Sequence, residues 1–337
     1  MKRILAVLLA ATLSVTTLCA CGSKSSAGEG SAAASGSGSA ALDYPKQNVN
    51  VIVQYSAGGG TDLSVRGVLS GVKDFPVNLS VSNVAGNGGL IGLTQVSNSK
   101  ADGYTLGVVN TDFVINGILG NTELTLDDFS PLACALKDPF VLIVGKTDKY
   151  SDLKGFVEYA KNHPGEVSIG DTGTGAAPTL AVTAIQNALG IQLKSVTYDG
   201  SADCVTAVVG NHIDATIAQA CNASAQVEAG NAKIIGVLAN DRLKTYPDAP
   251  TFKETFPDQV DFEMMGFCII SCPSKVDQNI QKYLSEQLRT AVDSTSFSDT
   301  LKKLNMQDTN MTVDEMKQFL DEQKKLYTKL CSKTKKS

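Results

Sequence analysis

Four times along this chain a short apolar run ends in a glycine-rich turn and gives way to a helix-forming stretch. Val49–Val53 leads into Ser56-Ala57-Gly58-Gly59-Gly60-Thr61-Asp62 and a helix over Leu63–Val72. Leu79–Val84 leads into Ala85-Gly86-Asn87-Gly88-Gly89 and a helix over Leu90–Val96. Val167–Ile169 leads into Gly170-Asp171-Thr172-Gly173-Thr174-Gly175 and a helix over Ala177–Leu189. Leu193–Val196 leads into Tyr198-Asp199-Gly200-Ser201-Ala202 and a helix over Asp203–Val209. Further strands are read at Tyr104–Val109, Phe140–Val144, Ile213–Ile217, Lys233–Val237 and Gly266–Cys272. This alternation demands an α/β fold, with largely parallel sheets expected. Beyond it, Ile280, Tyr283, Leu284, Leu288 and Val292 recur at helical spacing. So do Met316, Phe319, Leu320, Tyr327 and Leu330, behind a Thr312-x-x-Glu315 capping box. Both stripes read as core faces of two helices packed back on the first domain.

Each turn sits at a strand's carboxyl end and opens a helix, where unpaired N–H groups and the positive dipole end favour an anion. Glycine lets a ligand approach the backbone without a Cβ in the way. Ligands of open α/β sheets bind at such strand ends, so two turns in each half of the chain suggest two lobes facing across a cleft. Arg66 is the one cation near the first turn, and an anion here would be held by amides and hydroxyls. The charge balance narrows the classes further. A formal net charge of −5 is a poor match for nucleic acid. Two histidines, His163 and His212, leave little for a metal centre, and neither a metal nor a cofactor is expected.

Met1-Lys2-Arg3 followed by apolar Ile4–Leu18 reads as a secretory leader, too short to span a bilayer. It closes on Leu18-Cys19-Ala20-Cys21-Gly22, similar to a bacterial lipoprotein processing site with Cys21 as the lipidated residue. Residues 1–20 are thus expected to be removed. Residues 21–41, nearly all Gly, Ser and Ala, would form a tether reaching roughly 25 Å. Localisation at the outer face of the cell membrane follows, the periplasmic side in a Gram-negative source. Six cysteines remain after Cys21. Cys268 and Cys272 share one strand and cannot bridge each other; buried free thiols and one or two long-range bridges both stay open.

Enzyme chemistry finds little support. Asp171-Thr172-Gly173-Thr174 looks like the aspartic-protease loop, but no second copy exists to share a proton. Gly86-x-Gly88 has Ile91 where a dinucleotide fingerprint needs its third glycine. A hydrolase remains a remote alternative, with no catalytic residue assigned.

Together these residues resemble the substrate-binding proteins of tripartite tricarboxylate transporters, the Bug/TctC family. Gly58-Gly59-Gly60-Thr61-Asp62 looks like P-G-G-x-T-D, and Gly86-Asn87-Gly88-Gly89-x-x-Gly92 is similar to A-G-x-G-G-x-x-G. Asp102-Gly103-Tyr104-Thr105-Leu106 matches D-G-Y-T-L, with Asn116 on the following I-N-P segment. Tyr198–Ala202 resembles Y-K-G-S-A, with Gly210 and Asp214 for G-x-x-D, and Pro247–Thr251 resembles P-D-V-P-T. The resemblance implies a two-lobed, type II periplasmic-binding-protein (Venus-flytrap) fold with two hinge crossovers. It implies lobe 1 over 42–141 plus 264–337 and lobe 2 over 142–263. It implies a monomeric, non-enzymatic receptor that delivers a small organic carboxylate to large and small membrane subunits of a secondary transporter. Another importer class, or a ligand-sensing partner of a membrane kinase, is the alternative.

Carried over, ligand contacts are expected from Ser56, Ala57, Gly58, Gly59, Gly60 and Thr61, from Ala85, Gly86, Asn87 and Gly88, and from Asn110, Thr111 and Asp112. The second lobe would add Thr172, Gly173, Thr174, Gly175 and Ala177, with Gly200, Ser201 and Ala202. Departures from the pattern are Gln54, Ser56 and Ala57 in place of prolines, Ala177-Pro178-Thr179 in place of S-x-H, and Asp199 in place of lysine. With Asp112 and Asp171 these place up to three extra carboxylates near the cleft, where they would repel a multiply charged anion. The same aspartates could instead cap helices or face solvent.

Overall fold

The computed structural model describes residues 42–304, 306–307 and 309–334. The leader, Cys21 and the tether lie outside the described residues. The chain begins with β1 (Val49–Val53), α1 (Gly60–Gly71), β2 (Leu79–Asn83), α2 (Leu90–Ser97), β3 (Thr105–Asn110) and α3 (Thr111–Leu119). A long strand β4 (Phe129–Gly145) follows, then α4 (Leu153–Asn162), β5 (Ser168–Asp171), α5 (Ala177–Leu189), β6 (Lys194–Thr197), α6 (Ser201–Val209), β7 (Ala215–Gln219), α7 (Ala220–Glu228) and β8 (Ala232–Val237). The short α8 (Phe252–Thr255), β9 (Met265–Pro273), α9 (Gln278–Val292), α10 (Thr295–Lys303) and α11 (Val313–Thr334) complete it.

The strands run in the order β2-β1-β3-β9-β4-β7-β5-β6, with β8 also paired to β4. The same topology therefore occurs twice: β2-β1-β3-β9-β4 on one side and β6-β5-β7-β4-β8 on the other. β4, 17 residues long, serves both halves. Phe129–Pro139 pairs with β9, and Phe140–Gly145 pairs with β7 and β8. Pro139 marks the change of partner, because it has no N–H to continue a ladder. At the next residue Phe140 N donates to the Met264 carbonyl, Leu238 N to the Phe140 carbonyl, and Met264 N to the Leu238 carbonyl, all at 2.8–3.0 Å. Both chain crossings between the halves thus meet at one point.

The expectation of largely parallel sheets needs correction. Pairings of β1 with β2 and β3, and of β5 with β6 and β7, are parallel. All four pairings made by β9 and β4 are antiparallel. Parallel pairs arise where a helix makes the crossover, and β9 runs antiparallel to β3 and β4 because the chain returns there after passing through the other half. All nine residues of β9 are buried, consistent with a strand covered on both faces.

The C-terminal region holds three helices rather than two. α9 and α10 pack on α1, as expected of helices returning to the first half. α11 instead packs on α3 and α5, one from each half. Its capping box forms, with Thr312 N donating to Glu315 Oε2 at 2.7 Å and Glu315 N to Thr312 Oγ1 at 3.2 Å. Tyr327, fully buried, donates its hydroxyl to the Met265 carbonyl at 2.7 Å and pins α11 beside the crossing.

Candidate ligand-binding site

β1 emerges at Gln54-Tyr55, and its exit loop is fixed from below. Asp62, 2% exposed in the first turn of α1, accepts N–H groups from Gly58 at 2.9 Å, Asn83 Nδ2 at 3.0 Å and Arg66 Nε at 3.0 Å. Burial pushes its carboxyl up, but these donors outweigh it and hold Asp62 below the ordinary carboxylate range. Arg66 also reaches Asn83 Oδ1 at 3.1 Å. The one cation near the first turn is therefore a brace. Ser56, Ala57, Gly58 and Gly59 are exposed above it, and Gly60 and Thr61 are half-buried at the helix start. From the other half, the Cys221 thiol at the start of α7 lies 3.5 Å from where a Gly60 Cβ would stand.

The second turn lies alongside. Ala85 and Asn87 are exposed, and Gly86 adopts φ +130° against Ile91. A Cβ on Gly88 would stand 3.5 Å from Asn116 Nδ2, and one on Gly89 would press on Gln54. The third element is the junction of β3 and α3. Asn110 caps α3 by accepting Phe113 N at 3.1 Å, and its Nδ2 donates to the Tyr55 hydroxyl at 2.6 Å. Thr111 faces inward, its hydroxyl donating to the Met265 carbonyl at 3.2 Å and accepting Phe267 N at 3.0 Å.

Asp112 joins the halves. Its Oδ2 accepts the Tyr55 hydroxyl at 2.7 Å, and its Oδ1 accepts the N–H of Ala177, the first residue of α5, at 2.9 Å. Burial pushes the Asp112 carboxyl up, and the two donors pull it part of the way back. A second crossing bond lies beside it: Asn116 Nδ2 donates to the Gly175 carbonyl at 3.2 Å. Gly175 has φ +87°, and a Cβ there would come within 2.5 Å of Asn116 Oδ1. Only a residue without a side chain fits this approach.

Of the third and fourth turns, Thr172 and Gly173 are half-buried and Thr174 is exposed. Asp171 shapes the turn itself, its Oδ1 accepting Gly173 N at 3.1 Å and the Thr197 hydroxyl at 2.9 Å. Thr197 thereby links the third turn to the fourth, where Gly200, Ser201 and Ala202 open α6. Asp199 is exposed. Of the three extra carboxylates, Asp171 stabilises its own loop, Asp199 meets solvent, and Asp112 alone bridges the halves.

Sequence reasoning missed Tyr55 and Cys221. Their positions depend on pairing between distant segments, and no local pattern marks them. Among the described residues no cluster of three His, Cys, Asp or Glu side chains could hold a metal.

The Tripartite tricarboxylate transporter family receptor (TctC) model matches residues 71–335. The chain belongs to this family. A UPF0065 protein of Agrobacterium vitis is 28% identical over 252 residues, covering 74% of this chain and 72% of the relative. A crystal structure of a TctC solute-binding protein from Polaromonas is 28% identical with a TM-score of 0.70, covering 86% of this chain and 99% of that one. Two proteins of Rhodopseudomonas palustris share the fold. MatC with bound malate has a TM-score of 0.76 at 21% identity, covering 85% and 99% of the two chains. Rpa4515 with adipate has a TM-score of 0.76 at 20% identity, covering 87% and 98%. This TctC-family chain accordingly has the two-domain periplasmic-binding-protein fold, and its relatives are solute-binding receptors rather than enzymes. Members of the family act as extracytoplasmic receptors. No described helix is long and apolar enough to cross a membrane.

Proposed function

We propose that this TctC-family protein captures a small organic carboxylate between its two lobes, 42–141 with 264–337 and 142–263, and delivers it to the large and small membrane subunits of a tripartite transporter. The contacts would be backbone amides and hydroxyls of Ser56–Thr61, Ala85–Gly88, Asn110–Asp112, Thr172–Gly175, Ala177 and Gly200–Ala202. The observation that carries the reading is the Ala177 amide: the first N–H of α5 is already donating to a carboxylate across the divide. A helix N-terminus is suited to an anion without any cationic side chain. Malate in MatC and adipate in Rpa4515 support carboxylic acids as the ligand class. In this reading the protein is a monomer, processed at Cys21, lipidated there, and tethered to the outer face of the membrane by residues 21–41.

A thermal-shift screen of the purified chain against mono-, di- and tricarboxylates and amino acids tests the proposal. A ligand at about 100 times its Kd adds roughly 2.7 kcal/mol of apparent stability, which moves the midpoint by several degrees. An unchanged midpoint across all organic acids would count against carboxylate capture. Radiolabelled palmitate incorporation lost in Cys21→Ser tests the anchor.

A further inference from the structure

We infer that Asp112 is the residue that sets which carboxylates the cleft accepts: its own carboxylate is a resident occupant of the α5 amide and a built-in competitor for the ligand. The inference rests on the carboxylate-binding reading and names the ligand charge within it. The first N–H groups of a helix have no acceptor within that helix, and Ala177 N finds one at 2.9 Å in Asp112 Oδ1, contributed by α3 of the opposite half. The other oxygen is fixed by the Tyr55 hydroxyl at 2.7 Å, itself oriented by Asn110 Nδ2 at 2.6 Å. Asp112 is therefore aimed at α5 by a relay of hydrogen bonds through Tyr55 and Asn110. Asn116, bonded to the Asp112 carbonyl at 2.8 Å and to the Gly175 carbonyl at 3.2 Å, holds the same two segments together alongside.

Two consequences follow for binding. A ligand carboxylate reaches the Ala177 amide only by displacing Asp112, so the contact between α3 and α5 opposes its entry. Once displaced, Asp112 stays in the cleft as an anion beside the ligand. Arg66 is engaged with Asp62 and Asn83 and does not offset it. Each further negative charge on the ligand is repelled at short range. The class favoured is a monoanionic or zwitterionic carboxylate, and doubly charged acids are selected against.

The experiment uses the unliganded full chain as wild type, Asp112→Ser and Asp112→Asn. Amide hydrogen exchange at Ala177 is followed, with Ala181 one turn further into α5 as the folding control. Ala177 should exchange about tenfold or more faster in Asp112→Ser, the loss expected when one hydrogen bond to a charged acceptor is removed, with Ala181 unchanged. Equal Ala177 rates in wild type and Asp112→Ser would overturn the inference. Calorimetry with three four-carbon acids, succinate, butyrate and 4-aminobutyrate, then reads the charge preference. Wild type should bind succinate weakest of the three, and Asp112→Asn should raise the affinity for succinate relative to the other two by about tenfold. A wild type that prefers succinate, or an unchanged order in Asp112→Asn, would overturn it as well. Failure of wild type and Asp112→Asn alike to bind any organic acid would instead count against carboxylate capture, with the exchange rates still deciding whether Asp112 occupies the amide.

Discussion

Asp138, one residue before the point where β4 changes partners, accepts the backbone N–H of Cys221 at 3.1 Å, so the start of α7 is tied to the crossing strand. The carboxylate is fully buried, and its Oδ1 has no hydrogen-bond partner among the described residues. Burial raises its pKa from 3.8 to about 7, with the Cys221 and Ala220 donors only partly offsetting it.

The pH dependence has a definite sign. Between the ordinary value and about 7 the folded protein holds a proton on Asp138 that the unfolded chain has released. Stability from this group therefore falls as pH rises through that window, by up to about 4 kcal/mol. Asp138→Asn keeps an acceptor for Cys221 N and removes the titration. Thermal unfolding between pH 4 and 8 should show the wild type losing stability relative to Asp138→Asn as pH rises, and a parallel pair of curves would contradict the assignment.

Asp62 behaves in the opposite way. Its carboxyl is held low, so its contribution is present at neutral pH and is lost as pH falls through its folded value. Asp62→Ala leaves the Gly58 amide and Asn83 without their acceptor and should lower stability by about 2 kcal/mol in urea unfolding. Because the brace shapes the first glycine turn, ligand affinity measured by calorimetry should fall with it.

Gly175 and Gly165 form a matched pair. Both have positive φ, +87° and +77°, but a Cβ on Gly165 meets nothing within 4 Å while one on Gly175 meets Asn116. Alanine at Gly165 should cost about 1 kcal/mol for the backbone alone. Alanine at Gly175 should cost at least about 1 kcal/mol more and should weaken ligand binding, because the two halves can no longer approach at Asn116.

These positions show how far the sequence could be read. The helix over Ala177–Leu189 is found as expected, since its strand, glycine turn, Pro178 and closing Gly190 are all local signals. The first eleven residues of β4 were not legible: Pro131, Lys137, Asp138 and Pro139 interrupt the apolar pattern, and pairing with β9 comes from a segment more than a hundred residues away. Glycine turns as helix openers were visible, whereas Asp112 was expected as a ligand contact and a surplus charge near the cleft, not as a bridge to α5. Its partner, Ala177 N, is a backbone group with no sequence signature.

The cysteines resolve one open alternative. Among the described residues, Cys134, Cys204, Cys221, Cys268, Cys272 and Cys331 form no disulfide, and five of the six are buried. Burial pushes Cys134 and Cys268 up to about 12, where almost no reactive thiolate forms near neutral pH. Iodoacetamide should label the native, unreduced protein slowly and all six after unfolding without reductant. Rapid native labelling at more than Cys221, or fewer than six labels after unfolding, would contradict this.

The most direct test of carboxylate capture is a crystal structure with the strongest acid from the thermal screen. The account predicts a ligand carboxylate hydrogen-bonded to Ala177 N and to amides of the Gly58–Thr61 turn, with Asp112 swung away from α5. A ligand lodged outside the interlobe turns, with Asp112 still on Ala177, would contradict it.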